Sequence, residues 1–156
     1  MAGGQWIVDR KGYAVKWSAI VPAMFAVAAI AVPWLTGRTP EIAFALQRGF
    51  ALVCHQQPER SFVLFSGSVA VCGRCLGIYL GATVGLLMDA PRLVAWRLFL
   101  VAASINAIDW LSELSRLHGN WMFARFVLGV ILGATAATLV IASTDKIKIP
   151  SQAKER

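Results

Sequence analysis

The chain has 156 residues, of which 58% are apolar and 15% charged, above the apolar share of about 45–50% usual in soluble domains. This composition excludes a string of soluble domains and points to one membrane domain. Its net charge of +7 invites a nucleic-acid reading, but the cations flank apolar stretches, where they mark topology and meet lipid headgroups; no nucleic-acid partner is expected.

Residues 1–16 read as a short polar cytoplasmic segment carrying Arg10, Lys11 and Lys16. Residues 17–142 form the expected single transmembrane domain. Within it, windows 17–35, 69–88, 93–111 and 122–142 each reach the length of about 17–25 apolar residues that crosses a bilayer. Lipid offers the backbone no hydrogen bonds, so each window is expected to be a helix. The fold class is therefore all-α, an integral membrane bundle of about four transmembrane helices. The first window follows basic residues as a secretory signal does, but its apolar run exceeds the usual signal core of about 7–15 residues, so it reads as a retained anchor.

Residues 36–68 make a long connection. Its stretch 41–53 is apolar but broken by Gln47 and Arg48, too short to span, and predicts an additional short interfacial or re-entrant helix that delivers Cys54 and His55 to the membrane rim. The second window carries Gly73, Gly77, Gly81 and Gly85, and the fourth carries Arg125, Gly129, Gly133 and Ala137. Small residues four apart let helix backbones approach closely in lipid or receive a membrane protein partner. The third window carries Asn106, Asp109 and Glu113 on one face. Residues 143–156 are basic and read as a disordered cytoplasmic tail. With four crossings, the basic ends and Arg92 and Arg97 fall on one side, so both termini are expected in the cytoplasm and the chain in the cell (inner) membrane as a multi-pass protein.

All three cysteines lie in Cys54-His55-Gln56 and Cys72-Gly73-Arg74-Cys75, pieces that the topology brings to the outer face. Cys72, Cys75 and Tyr79 share one side of a helix by spacing, with Arg74 roughly opposite. Cys54, His55, Cys72 and Cys75 together make a tetrahedral ligand set, zinc being the expected ion, although neighbouring Cys54 and His55 reach one ion only through a strained loop. Three protein ligands plus water is the open-site version. The rival chemistry is thiol–disulfide exchange through Cys72 and Cys75, with Cys54 as third thiol and a quinone as electron partner. The bland reading is three buried thiols, and a non-catalytic accessory subunit of a larger membrane complex is a third possibility.

Membrane carboxylates seldom stand alone, so Asp109 is expected to pair with Arg125. Glu113 continues that stripe, and Asn120, with His118, sits in the following outer loop. Arg60, Arg74 and Arg125 are together suited to holding a polar or anionic ligand. No Gly-rich phosphate loop, serine nucleophile motif or paired-histidine zinc protease motif is present. Whether the chain is an enzyme stays open.

Cys54-His55-Gln56, Pro58-Glu59-Arg60-Ser61-Phe62 and Cys72-Gly73-Arg74-Cys75-Leu76-Gly77-Ile78-Tyr79-Leu80-Gly81 resemble an uncharacterised family of small prokaryotic integral membrane proteins, a domain of unknown function. Ala107-Ile108-Asp109-Trp110, Asn120, Arg125, Gly129 and Gly133 look like its later motifs, so the resemblance covers roughly residues 48–134. It implies that the cysteine segments, Asp109, Asn120 and Arg125 work as one unit. It implies no activity, substrate or cofactor.

Overall fold

The computed structural model describes residues 18–65, 67–88, 90–115 and 121–144. The polar leading segment, the basic tail, Asp89, His118 and Asn120 lie outside the described residues. Among those described, five α-helices and one short hairpin form the fold.

Helix α1, Ile20–Thr36, is apolar throughout and stops at Gly37. Just beyond its end, the guanidinium of Arg38 lies 3.9 Å over the Trp34 ring, an arrangement suited to a membrane–water boundary. Helix α2, Pro40–Ala51, is the short amphipathic helix expected before Cys54. Pro40 occupies the first turn, where its fixed φ suits a helix start. Glu41 in the first turn and Arg48 in the last complement the helix dipole. Ala43 and Phe50 are its buried residues, and the Phe50 ring meets Phe25 of α1 edge to face at 6.1 Å.

A single 3₁₀ turn, Pro58–Arg60, leads into β1 (Val63–Leu64) and β2 (Gly67–Ser68), paired antiparallel with Val63 opposite Ser68. Here the structure departs from the continuous helix expected over 69–88. Val69 donates its N–H to Phe62 O at 2.8 Å, and Ala70 donates to Ala29 O at 3.2 Å. Val69, Ala70 and Val71 are only 2%, 1% and 0% exposed. Their apolarity serves the protein interior, where they pack with Ala26, Ala29 and Val32 of α1 and with Phe50 and Cys54. Helix α3 therefore starts only at Gly73 and runs to Gly85.

Helices α4, Arg92–Leu114, and α5, Met122–Thr144, are the two that are long and apolar enough to cross a membrane among the described residues. α5 lies in the groove of α3 with no side chains between the backbones. A Cβ on Gly77 would strike Phe126 O, one on Gly81 would strike Val130 O, and one on Gly133 would strike Ile78 O. Only glycine allows that approach. α4 packs on the other side of α5, where buried Asn106 donates to Leu128 O at 3.2 Å and to Ala102 O of its own helix at 2.9 Å.

Candidate functional site

Cys54 continues the last turn of α2, its N–H bonded to Phe50 O at 2.9 Å. Two residues on, the chain reverses: Gln56 adopts φ 48°, a left-handed conformation uncommon outside glycine, and its side chain donates back to Gln47 O at 2.6 Å. Cys72 caps α3 from an extended conformation, and Cys75 sits in the first turn. The N–H of Cys72 donates to Cys54 Sγ at 3.2 Å. Two segments distant in sequence thus bring three Sγ atoms within 4.8 Å of one another.

Cys54 is buried, Cys72 and Cys75 are half-buried, and all three are free thiols. Hydrogen bonds from the thiols of Cys72 and then Cys75, with the Cys72 N–H, hold the Cys54 thiol well below its usual range, against the opposing push of burial. Of the three, Cys54 is therefore the thiol most readily ionised. His55 does not join the group: adjacent side chains leave the chain in diverging directions, and with Cys54 turned inward His55 is exposed at the cavity edge. Cys72 stands at the N-cap of α3, with its Sγ within 4.8 Å of that of Cys75. Tyr79 packs against the same core cluster as Cys72 and Cys75 and also meets α1, its ring 5.6 Å from that of Phe25.

The thiols open into a cavity of about 390 Å³ whose wall includes His55, Arg60, Arg74, Trp110, Glu113 and Arg125. Its charged half is a chain of ion pairs. Arg74 pairs with Asp109, and Arg60 pairs with Glu113. Arg125 joins the two carboxylates, with Nη2 3.0 Å from Glu113 and Nε 3.8 Å from Asp109. The Arg125 side chain is 6% exposed, and desolvated charges persist only when paired in this way. The expected Asp109–Arg125 pair is present, but Arg74 is the nearer partner of Asp109 and Glu113 the nearer partner of Arg125. Arg74, expected roughly opposite the cysteine face by helical spacing, lines the same cavity as the thiols. Sequence reasoning passed over Trp110, whose place directly after Asp109 was the available signal, and Gln56, whose positive φ has none.

The family model described as "Predicted membrane protein (DUF2085)" matches residues 54–139. Uncharacterized protein MJ1492 of Methanocaldococcus jannaschii is 32% identical over 107 residues, covering 64% of this chain and 69% of the relative. An uncharacterized protein of Methanothermobacter thermautotrophicus is 52% identical over 33 residues, 21% of this chain and 30% of the relative. No solved structure matches the chain.

Proposed function

The chain belongs to the DUF2085 family of predicted membrane proteins, and from that footing we propose that it is a multi-pass inner-membrane protein whose outward-facing thiols hold a zinc ion. The ligands are Cys54, Cys72 and Cys75, and the arginine and carboxylate cluster beside them receives a polar ligand. Both termini lie in the cytoplasm, in keeping with the cations that flank the apolar stretches.

One observation carries this reading: the meeting of three thiols within 4.8 Å. Zinc binds thiolate sulfur at about 2.3 Å, which sets tetrahedral sulfurs about 3.8 Å apart. A closure of about an ångström by flexible thiols brings the trio onto the ion. Soft thiolates favour zinc over oxygen-seeking ions, and the Cys54 thiol is held below its usual range by its thiol and N–H donors. Three protein ligands leave a fourth position to water or a bound molecule, the arrangement of open rather than purely structural zinc sites. His55, at the cavity edge, is near enough in sequence to approach that position only by rearranging the turn at Gln56.

Elemental analysis of the purified protein, with thiol titration before and after reduction, tests the proposal. The expected result is about one zinc per chain and three thiols protected until the metal is chelated. Metal-free protein containing a Cys72–Cys75 disulfide would overturn it in favour of thiol exchange.

A further inference from the structure

The thiol-lined cavity does not end at the charged cluster. A second cavity, of about 370 Å³, is lined by Arg60, Trp110, Glu113 and Leu114, and Arg60, Trp110 and Glu113 line both. The two make one cleft along the C-terminal end of α4, and its ends differ in chemistry.

At the inner end, three guanidiniums face two carboxylates. The N–H donors of the three guanidiniums outnumber the carboxylate oxygens. The Nε–H of Arg74 is buried with no acceptor among the described residues, a donor that needs a partner. At the other end, Leu114 is 69% and Trp110 55% exposed, on a helix long and apolar enough to cross a membrane. Side chains exposed there meet acyl chains, and Trp110 near the helix end suits the headgroup boundary.

We propose that this cleft binds an anionic amphiphile of the membrane, its oxyanion head on Arg60 with Arg74 behind it, and its hydrocarbon chain leaving past Trp110 and Leu114 into the bilayer. Arginine's planar fork suits carboxylate or phosphate oxygens, and the chain gains an apolar wall continuous with lipid. The proposal rests on the membrane reading of α4 given above and not on the metal.

The test is equilibrium binding of labelled oleate to the full chain in neutral detergent, with oleyl alcohol, acetate and inorganic phosphate as competitors. Oleate should saturate at about one per chain, and the other three should fail to displace it at equal concentration. Arg60→Gln should weaken oleate about tenfold, the effect of one charge-assisted hydrogen bond. Leu114→Asp, at an exposed position, should do the same through the chain end, and carries the test if Arg60→Gln fails to fold. Displacement by phosphate or acetate would mean a site for soluble oxyanions and overturn the proposal, as would equal binding of oleyl alcohol or unchanged affinity in a folded Arg60→Gln variant. Zinc is measured on the same samples. Oleate bound by zinc-free protein defeats the metal reading alone, and zinc-loaded protein that ignores oleate defeats this one alone.

Discussion

Cys54 and His55 are neighbours in sequence with opposite fates, and the difference follows from one turn of backbone. Cys54 follows the last turn of a helix and is buried, while His55 begins the reversal at Gln56 and is exposed at the cavity edge. Clustering of the cysteines was legible in the sequence because three thiols in so short a stretch of an apolar chain call for a joint role. The histidine's exclusion was not, since it depends on a positive φ that a glutamine does not announce. Cys54→Ser is therefore expected to lower zinc affinity by roughly a hundredfold or more and His55→Ala by far less, read by competition with a chromogenic chelator. Since the Cys54 thiol is held below its usual range, zinc binding near neutral pH should release fewer than three protons, measurable by calorimetry in buffers of different ionisation enthalpy. The same depressed thiol sets a sign for stability. Its contribution is complete above the unfolded thiol pKa of about 8.5 and is lost progressively as pH falls toward the folded value. The melting temperature of metal-free protein should therefore climb from mildly acid pH toward 8.5, and Cys54→Ser should flatten that climb. Arg125, 6% exposed between two carboxylates, differs from Arg60, 39% exposed at the rim. Arg125→Met leaves each carboxylate its other arginine and should cost roughly 1–3 kcal/mol through lost charge-assisted hydrogen bonds, and Arg60→Met about 1 kcal/mol or less, compared by denaturant unfolding in detergent.

Among the helices, the glycine stripes of α3 and α5 were readable because small residues four apart have one common use in lipid, close approach. The start of α3 was not readable. Hydropathy reports that Val69, Ala70 and Val71 avoid water, but it does not distinguish a residue facing lipid from one sealed inside protein, and here the interior won. The polar stripe of α4 was legible as a face, since Asn106, Asp109 and Glu113 follow helical spacing; which arginine meets which carboxylate depends on side-chain reach, which spacing leaves open. Gly81→Ala would press a methyl group onto Val130 O and the backbone beside Ala134. Backbone yields less readily than a side chain, so a loss of roughly 1–3 kcal/mol is expected, together with weakened zinc retention as α3 shifts. Gly49→Ala supplies the contrast: nothing lies within 4 Å of its added Cβ, and in the last turn of α2 the change should stabilise the helix by about 0.5 kcal/mol or less. Thermal melts of both variants check the pair.

For the molecule as a whole, apolar windows indicated a membrane helical domain, and the helical fold and family bear out that coarse reading. Their number is a finer matter, because α3 spans 13 residues and α1 spans 17, short of the roughly 20 that a bilayer asks of an untilted helix, whereas α4 and α5 each span 23. The proposed orientation is checked at Leu52, 88% exposed just before the thiols. Leu52→Cys should react with an impermeant maleimide from the outer side of intact cells, and labelling only from the cytoplasmic side would reverse the topology. The glycine contact between α3 and α5 has one more consequence. Because main chain rests on main chain, the spacing between the Cys72–Cys75 turn and Arg125 is gauged by backbone and owes nothing to how larger side chains settle. Residues on the outer surfaces of these two helices can then be exchanged for others of similar solubility in lipid without retuning the site, and the tolerance of the sequence to change should divide sharply, rigid along the seam and permissive on its back.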